Sequence, residues 1–416
     1  MAFLRTFRRR KILLFLAIVG PGIITASVDN DAGGIATYSL NGADYGYGML
    51  WVLFFITIAL VVIQEMSARM GVVTGKGLAD LIREQFGLRI TLLVMFLLLL
   101  TNLANTVSEF AGVAASLEIF GISKYLSVPV VAFLIWYLVL KGTYKIVERV
   151  FLFASLVYLS YIVSAYLAHP PWGEVLKATI SPDFSPLRRG NSAYMLMIIA
   201  LVGTTIAPWM QFYIQSSIVD KGVRVKEYKY TRWDVILGCA VTDIVAFCII
   251  VACAATLYAN GIKIQDAKDA ALALRPLAGE YCSLLFAIGL FNASAFSAAI
   301  LPLSTAYAVC EALGWETGIN RNFREAPQFF GLYTAFIVMG AALILIPKAP
   351  LLLIMYLSQV MNGLLLPFIL VFMLIIINRK EVMGTYTNSK IFNIIAWSTV
   401  VILIICSVVL LYTSIF

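Results

Sequence analysis

Six consecutive residues, Asp29-Asn30-Asp31-Ala32-Gly33-Gly34, interrupt an apolar run that otherwise extends from about residue 12 to 41. An ionised carboxylate at the centre of a bilayer costs roughly 2.5 to 3.5 kcal/mol on insertion scales. Asp29 and Asp31 therefore call for a cation, a proton or a water-filled cavity. A helix that stops near Val28 adds the partial negative charge of its free carbonyls. The interruption holds no Lys, Arg or His to act as counter-ion, so the electrostatics favour a bound inorganic cation. A second interruption, Gly203-Thr204-Thr205-Ile206-Ala207-Pro208, lies within the apolar run 193–218. Each break exposes backbone carbonyls that only protein, water or an ion can satisfy.

Three further acidic residues fall inside apolar runs: Glu65, Glu109 and Asp243. Glu109 is the deepest and could line an ion or proton path, or be a carboxyl hydrogen-bonded within the bundle. For Glu65 and Asp243, nearer the ends of their runs, the second role is expected. Other chemistries fail on inspection. Asp29 to Gly33 imitates the start of an EF-hand loop, but its twelfth position is Leu40 where Glu is required. Gly71-Val72-Val73-Thr74-Gly75-Lys76-Gly77 has three residues between its glycines, where a P-loop needs four, and no Ser or Thr after the lysine. HExxH and GxSxG are absent, which argues against an enzyme. His169 is the only histidine, and the six cysteines at 239, 248, 253, 282, 310 and 406 form no CxxC pair. That pattern offers neither a disulfide framework nor a zinc site.

The elements that must position these groups are membrane helices. Of the 416 residues, 62% are hydrophobic and 12% charged, about half the charged share of a soluble domain. Apolar runs long enough to cross a hydrocarbon core of about 30 Å lie near 12–41, 47–68, 90–117, 126–141, 147–168, 193–218, 234–259, 281–308, 329–347, 349–377 and 391–413. With the N-terminus in the cytoplasm, 22 of the 30 Lys and Arg fall on the cytoplasmic side. The positive-inside rule then places Arg5, Arg8, Arg9, Arg10 and Lys11 inside and the C-terminus outside. The same loop charges account for the net +8 beside anionic lipid, and nothing suggests a nucleic-acid surface. No cleavage site follows the first apolar run, which reads as a helix and not a secretory signal.

The two broken runs, the first and the sixth, are separated by five crossings and so enter the membrane from opposite sides. This is the pattern of an inverted repeat, in which matched broken helices point to a midplane site. The expectation is one all-α membrane domain over 1–416, with repeats at about 12–168 and 193–377 and an eleventh helix at about 391–413.

These residues resemble the NRAMP divalent-metal transporters. Asp31-Ala32-Gly33-Gly34-Ile35-Ala36-Thr37 followed by Tyr45-Gly46-Tyr47 is similar to that family's first-helix motif Asp-Pro-Gly-Asn and the tyrosine-glycine loop after it. The stretch Ala68 to Ala79 resembles the loop after its second helix, Val202 to Ser217 its sixth helix, and Ser358-Gln359-Val360 with Leu366-Pro367-Phe368 its tenth. The resemblance implies a LeuT-like fold and a metal site at Asp31, Gly33, Gly34, Thr204, Ala207 and Gln359, with Thr204 offering its carbonyl.

The chain departs from the family where chemistry is decided. The family's asparagine falls on Gly34, its metal-coordinating methionine on Ala207 and its histidine on Trp209. Of the acidic pair on the third helix Glu109 remains, and the other position is Thr106. This pattern resembles the magnesium-transporting branch of the family. Loss of the sulfur removes a soft ligand that favours transition metals, and the two small residues free a volume on the order of several waters of about 30 Å3 each. A partly hydrated Mg2+, or Mn2+, is then the expected cargo, without a resident cofactor and without proton coupling. Thr106, Glu109 and Trp209 mark the ion or proton path that the resemblance implies. The expected protein is a monomeric multi-pass transporter of a prokaryotic inner (plasma) membrane. The alternatives are a proton-coupled Mn2+/Fe2+ importer, a sodium-coupled amino-acid transporter and, from another class, a non-transporting metal sensor on the same fold.

Overall fold

The computed structural model describes residues 21–141, 155–188, 191–319 and 321–415. The basic arm, the start of the first span and positions 147–154 of the fifth lie outside them. The crossing helices are α1 (Pro21–Asp29), α2 (Ala32–Tyr45), α3 (Leu50–Thr74), α4 (Leu78–Glu118), α5 (Lys124–Leu140), α6 (Leu159–Leu167), α7 (Ser192–Thr205), α8 (Pro208–Asp220), α9 (Tyr228–Thr256), α10 (Cys282–Leu313), α11 (Pro327–Ile344), α12 (Leu351–Ile377) and α13 (Lys390–Ile415). Among the described residues eight segments are long and apolar enough to span a membrane, and two shorter apolar helices accompany them. With the broken pair α1 and α2 they account for the eleven crossings expected. No strand occurs among the described residues.

Both expected breaks are present. α1 stops at Asp29 and α2 restarts at Ala32; α7 stops at Thr205 and α8 restarts at Pro208. Proline sits well in the first turn of a helix, where its missing N–H is not needed. The same missing N–H leaves the Thr204 carbonyl without the donor that an unbroken helix would supply.

Two boundaries differ from expectation. The stretch 68–74, expected as loop, forms the last turns of α3, because Ala68, Met70 and Val72 are buried and Gly71 packs against Gln215 of α8. The helix ends at Gly75, whose left-handed backbone (φ 64°) closes it. α4 begins twelve residues earlier than the expected span, and Gly87 (φ 77°) divides this leading stretch from the crossing proper.

The helices are sorted by what they meet on each side. α4 exposes Leu88, Leu92, Phe96 and Leu100 along one stripe and buries Asn102, Asn105 and Glu109 on the other. Apolar residues outward and polar residues inward is the reverse of a soluble helix and suits lipid. α4 lies at the centre, packed on α10, α12 and α11, while α9 holds α1, α2 and α3, and α13 lies against α12 and α7. α7 and α12 approach each other closely. A β-carbon at Gly203 would overlap the Gln359 carbonyl and Gly363 backbone, and one at Gly363 would overlap the Ile199 carbonyl. Small residues at such crossings let dispersion contacts replace the hydrophobic drive that is absent in lipid.

Gly203→Val should therefore separate α7 from α12 at a cost of about 1 to 3 kcal/mol, read as a lower melting temperature of the purified protein. An unchanged transition would show that the two backbones are not in contact.

Candidate functional site

The N-terminus of α2 organises the centre of the molecule. Asp31 is its N-cap and accepts from the Gly34 N–H at 2.6 Å. Glu109 of α4 accepts from the Ala32 N–H at 3.2 Å through Oε2. Two carboxylates thus share the positive end of one half-helix, where the free N–H groups and the dipole favour negative charge. α4 can come this close because Gly112, one turn beyond Glu109, has no side chain: a β-carbon there would overlap Ser294 and press on Ala32. Glu109 Oε1 has no partner among the described residues.

The carbonyls freed at the first break are met by other helices. Tyr158, just before α6, donates its hydroxyl to the Asn30 carbonyl at 3.1 Å. Ser297 of α10 reaches the Val28 carbonyl at 3.4 Å. At the second break Ala207 caps α8 with an extended backbone. Its carbonyl accepts from the Met210 N–H at 3.2 Å, and the Gln211 amide, oriented to satisfy both its ends, donates to the carbonyls of Ala207 and Pro208. Thr204 is buried and its hydroxyl has no partner among the described residues.

Asp31, Gly33, Gly34, Thr204 and Gln359 are brought together here, and Ala207 lies buried one turn beyond Thr204 at the same break. Gly34 is a close approach and not a void. A β-carbon on it would stand 2.8 Å from the Asp29 carbonyl, 3.2 Å from Thr204 Oγ1 and 3.3 Å from Asp31 Oδ1. The room expected from a missing asparagine side chain is thus taken up in this conformation by the two breaks meeting. Gln359 lies directly on Gly33, where a β-carbon would overlap its Nε2. Its Oε1 is turned away and accepts from Asn362 at 2.8 Å. Asn362 in turn exchanges hydrogen bonds with Asn105 of α4 at 2.9 and 3.0 Å. Ligation through the Gln359 oxygen would need the amide to rotate.

The remaining expectations divide. Thr106 bonds the Asn102 carbonyl of its own helix at 2.7 Å and packs its methyl over Gly340 of α11, so it faces packing and not the break. Trp209 is buried against Tyr213 with ring centroids 6.0 Å apart. Glu65 behaves as expected of a hydrogen-bonded carboxylate: it pairs with Arg69 at 3.3 Å and accepts from the Tyr228 hydroxyl. Asp243 does not, for neither of its oxygens has a hydrogen-bond partner among the described residues. Sequence reasoning missed Asn105, Asn362, Tyr158, Ser297 and Thr242. A signal existed for the first of these: Asn102, Asn105 and Glu109 recur at helical spacing inside an apolar run.

Access is unequal on the two sides. A cavity of about 610 Å3 opens at the end of α4, lined among others by Ala115, Glu118, Lys124, Gln265, Asp266 and Met355. Met355 is one turn before Gln359 on α12. Toward the other side, next to Asp29, the space shrinks to about 10 Å3 between Gly22, Gln64, Met210 and Thr242.

The amide pairing yields a test. Asn105→Leu should cost about 1 to 3 kcal/mol by leaving Asn362 short of a partner, and the double change Asn105→Leu/Asn362→Leu should cost less than the sum of the single changes. Thermal melting of the three variants measures this, and strict additivity would show the pairing contributes nothing.

A family model described as natural resistance-associated macrophage protein-like, Nramp, matches residues 22–413. The chain is 28% identical over 412 residues to the divalent metal cation transporter MntH of Deinococcus radiodurans, covering 95% of this chain and 88% of that protein. It is 26% identical over 400 residues to MntH of Klebsiella pneumoniae, covering 94% and 92%. Among solved structures it is similar to the Eremococcus coleocola manganese transporter in complex with an aromatic bis-isothiourea substituted compound, with a TM-score of 0.74 at 20% identity over 94% of this chain and 85% of that one. It is also similar to MhsT in complex with L-phenylalanine, with a TM-score of 0.57 at 13% identity over 95% and 97%. At such identities these likenesses bear on the fold, and they agree with the LeuT-like plan of two broken helices.

Proposed function

The chain belongs to the Nramp family, and from that premise we propose that it carries divalent metal ions across the membrane, chiefly Mg2+ and also Mn2+, by alternating access. The observation that carries this reading is the donor set where the two breaks meet. Asp31, the Thr204 carbonyl and the Gln359 amide offer hard oxygen, and Ala207 and Trp209 offer neither sulfur nor imidazole. Soft sulfur ligands select transition metals, whereas carboxylate, carbonyl and water suit Mg2+ and Mn2+. Mg2+ dehydrates reluctantly and keeps several of its waters, which suits a site with few direct protein ligands.

In this proposal an ion enters through the 610 Å3 cavity and meets Asp31. Because Gly34 is packed against Asp29 and Thr204, a hydrated ion is accommodated as the repeats at about 12–168 and 193–377 shift and part the two breaks. The Gln359 amide rotates to offer oxygen, giving up its bond from Asn362. The whole chain acts as one membrane domain in an inner membrane, with the cavity on the outer face and the N-terminus in the cytoplasm. Transport runs down the ion's own electrochemical gradient, since Trp209 and Thr106 cannot take the place of a titrating histidine and acid.

Liposomes holding a Mg2+ dye should fill through the wild-type protein and not through Asp31→Ala; wild-type flux equal to that of empty vesicles would end the proposal. A pH dye in the same vesicles should stay silent during uptake, and acidification that tracks Mg2+ entry would establish coupling through Glu109. Ala207→Met should raise the preference for Mn2+ over Mg2+ by about tenfold, equivalent to roughly 1.4 kcal/mol, as measured by competition. An unchanged ratio would remove Ala207 from the ligand set.

A further inference from the structure

Asp29, the other carboxylate of the first break, points away from Asp31 toward α9. Its Oδ2 accepts from the Thr242 hydroxyl at 3.4 Å. Asn30 donates to the same hydroxyl at 2.8 Å and to the Thr242 carbonyl at 3.4 Å. Asp243 follows directly on α9, so the charge of its carboxylate is felt at Asp29. The hydroxyl of Thr57 of α3 lies beside Asp243. All of these groups except Thr57 are nearly fully buried. Among the described residues no cationic side chain acts on either carboxylate.

The neutral groups around this pair are also unsatisfied. Among the described residues Asp29 Oδ1, Asn30 Oδ1 and both oxygens of Asp243 have no hydrogen-bond partner, and neither end of the Gln64 amide has one. Gln64 of α3 is 2% exposed and lines the same narrow space as Asp29 and Thr242. A buried amide with both ends free is rare in a folded protein, and here it borders the cavity that Asp29 lines. The space of about 10 Å3 suits one particle of the size of a water. Two carboxylates without a basic partner are neutralised by one divalent ion, while a monovalent ion leaves a net negative charge buried.

We propose that Asp29 and Asp243, with the side-chain oxygens of Asn30 and Gln64, form a second divalent-cation site, on the far side of the break from Glu109 and facing the narrow passage. Its donors are all oxygen, so it takes Mg2+ and Mn2+ as the Asp31 site does. Its ligands are different, and it stands whether or not the Asp31 reading holds. Asp29 ends α1 two residues before Asp31 and bonds Thr242 of α9, so the two sites lie in series along the first break. An ion leaving the first toward the closed side meets the second, where protein oxygens replace part of its remaining water.

Mn2+ alone is the probe, titrated into the purified full-length protein with free Mn2+ read by electron paramagnetic resonance. The wild type should bind two equivalents. Asp31→Ala and Asp29→Asn/Asp243→Asn should each bind one, and the combined variant none. A wild type that binds one equivalent, or an Asp29→Asn/Asp243→Asn protein that still binds two, overturns the second site. Loss in that variant alone, with Asp31→Ala retaining both equivalents, upholds the second site and sinks the first. Should the double variant fail to fold, Gln64→Leu decides. It removes no charge and should weaken the class of sites that survives in Asp31→Ala by about tenfold, while leaving the Asp31-dependent class unchanged. Equal affinity in that class would overturn the proposal.

Discussion

The positive end of the half-helix Ala32–Tyr45 is the interaction on which the centre of this protein depends. Asp31 and Glu109 take two of its free N–H groups, and among the described residues no basic side chain acts on either. A carboxylate held this way is oriented without being neutralised, because a helix terminus carries only about half a unit of charge. The orientation is fixed, and in the proposed site the remaining charge is left for an ion. The same grip fixes α4 against α2 and so places the polar stripe of α4 where α10 and α12 can meet it. In the proposed transport cycle the metal competes with backbone N–H groups for Asp31, a competition that favours binding that is reversible over binding that is tight.

Around that contact the bundle solves the problem of broken helices in lipid by side chains from distant segments. Tyr158 and Ser297 answer the carbonyls of the first break, and Gln211 answers those of the second. The amide series Asn105, Asn362 and Gln359 ties α4 to α12 and ends directly on Gly33. Two devices thus bear on the same half-helix. One comes through its dipole and one through the Gln359 amide packed on its first turn. The helices that shift in the proposed cycle are held by hydrogen bonds that can be exchanged, while α7 and α12, whose backbones touch at Gly203 and Gly363, are held by shape.

Much of this was legible in the sequence because lipid allows few solutions. A run of apolar residues that contains Asp29 to Gly34, matched by one that contains Thr204 to Pro208, leaves little choice but two broken helices. The gathering of Asp31, Gly33, Gly34, Thr204 and Gln359 follows from the same logic and the resemblance. The rest was hidden for physical reasons. Gly34 reads as missing volume in a sequence, but whether that volume is empty depends on a neighbour 170 residues away, Thr204, and the structure closes it. Thr106 reads as a position on a path, yet a threonine in a helix can bond its own backbone and turn its methyl outward to pack. Asp243 lies nearer the end of its run, where a partner is easy to assume, but only the arrangement of α1 against α9 reveals that its neighbour is another carboxylate. The end of α3 was misplaced because glycine at 71 and 75 looks alike in sequence, and only Gly75 adopts the left-handed conformation that stops a helix.

The inequality of the two cavities has an electrical meaning. Water is a conductor on the scale of a bilayer, so a wide wet opening on one face carries the potential of that face inward as far as Ala115 and Met355. The transmembrane voltage must then fall mostly across the sealed half, through the thin layer that holds Gln64, Met210 and Thr242. A unit charge crossing the full field exchanges about 2.3 kcal/mol per 100 mV, and a divalent ion about twice that. In the proposed cycle an ion at Asp31 has therefore felt the smaller part of the field, and the larger part of that electrical work is done in the step past Asp29.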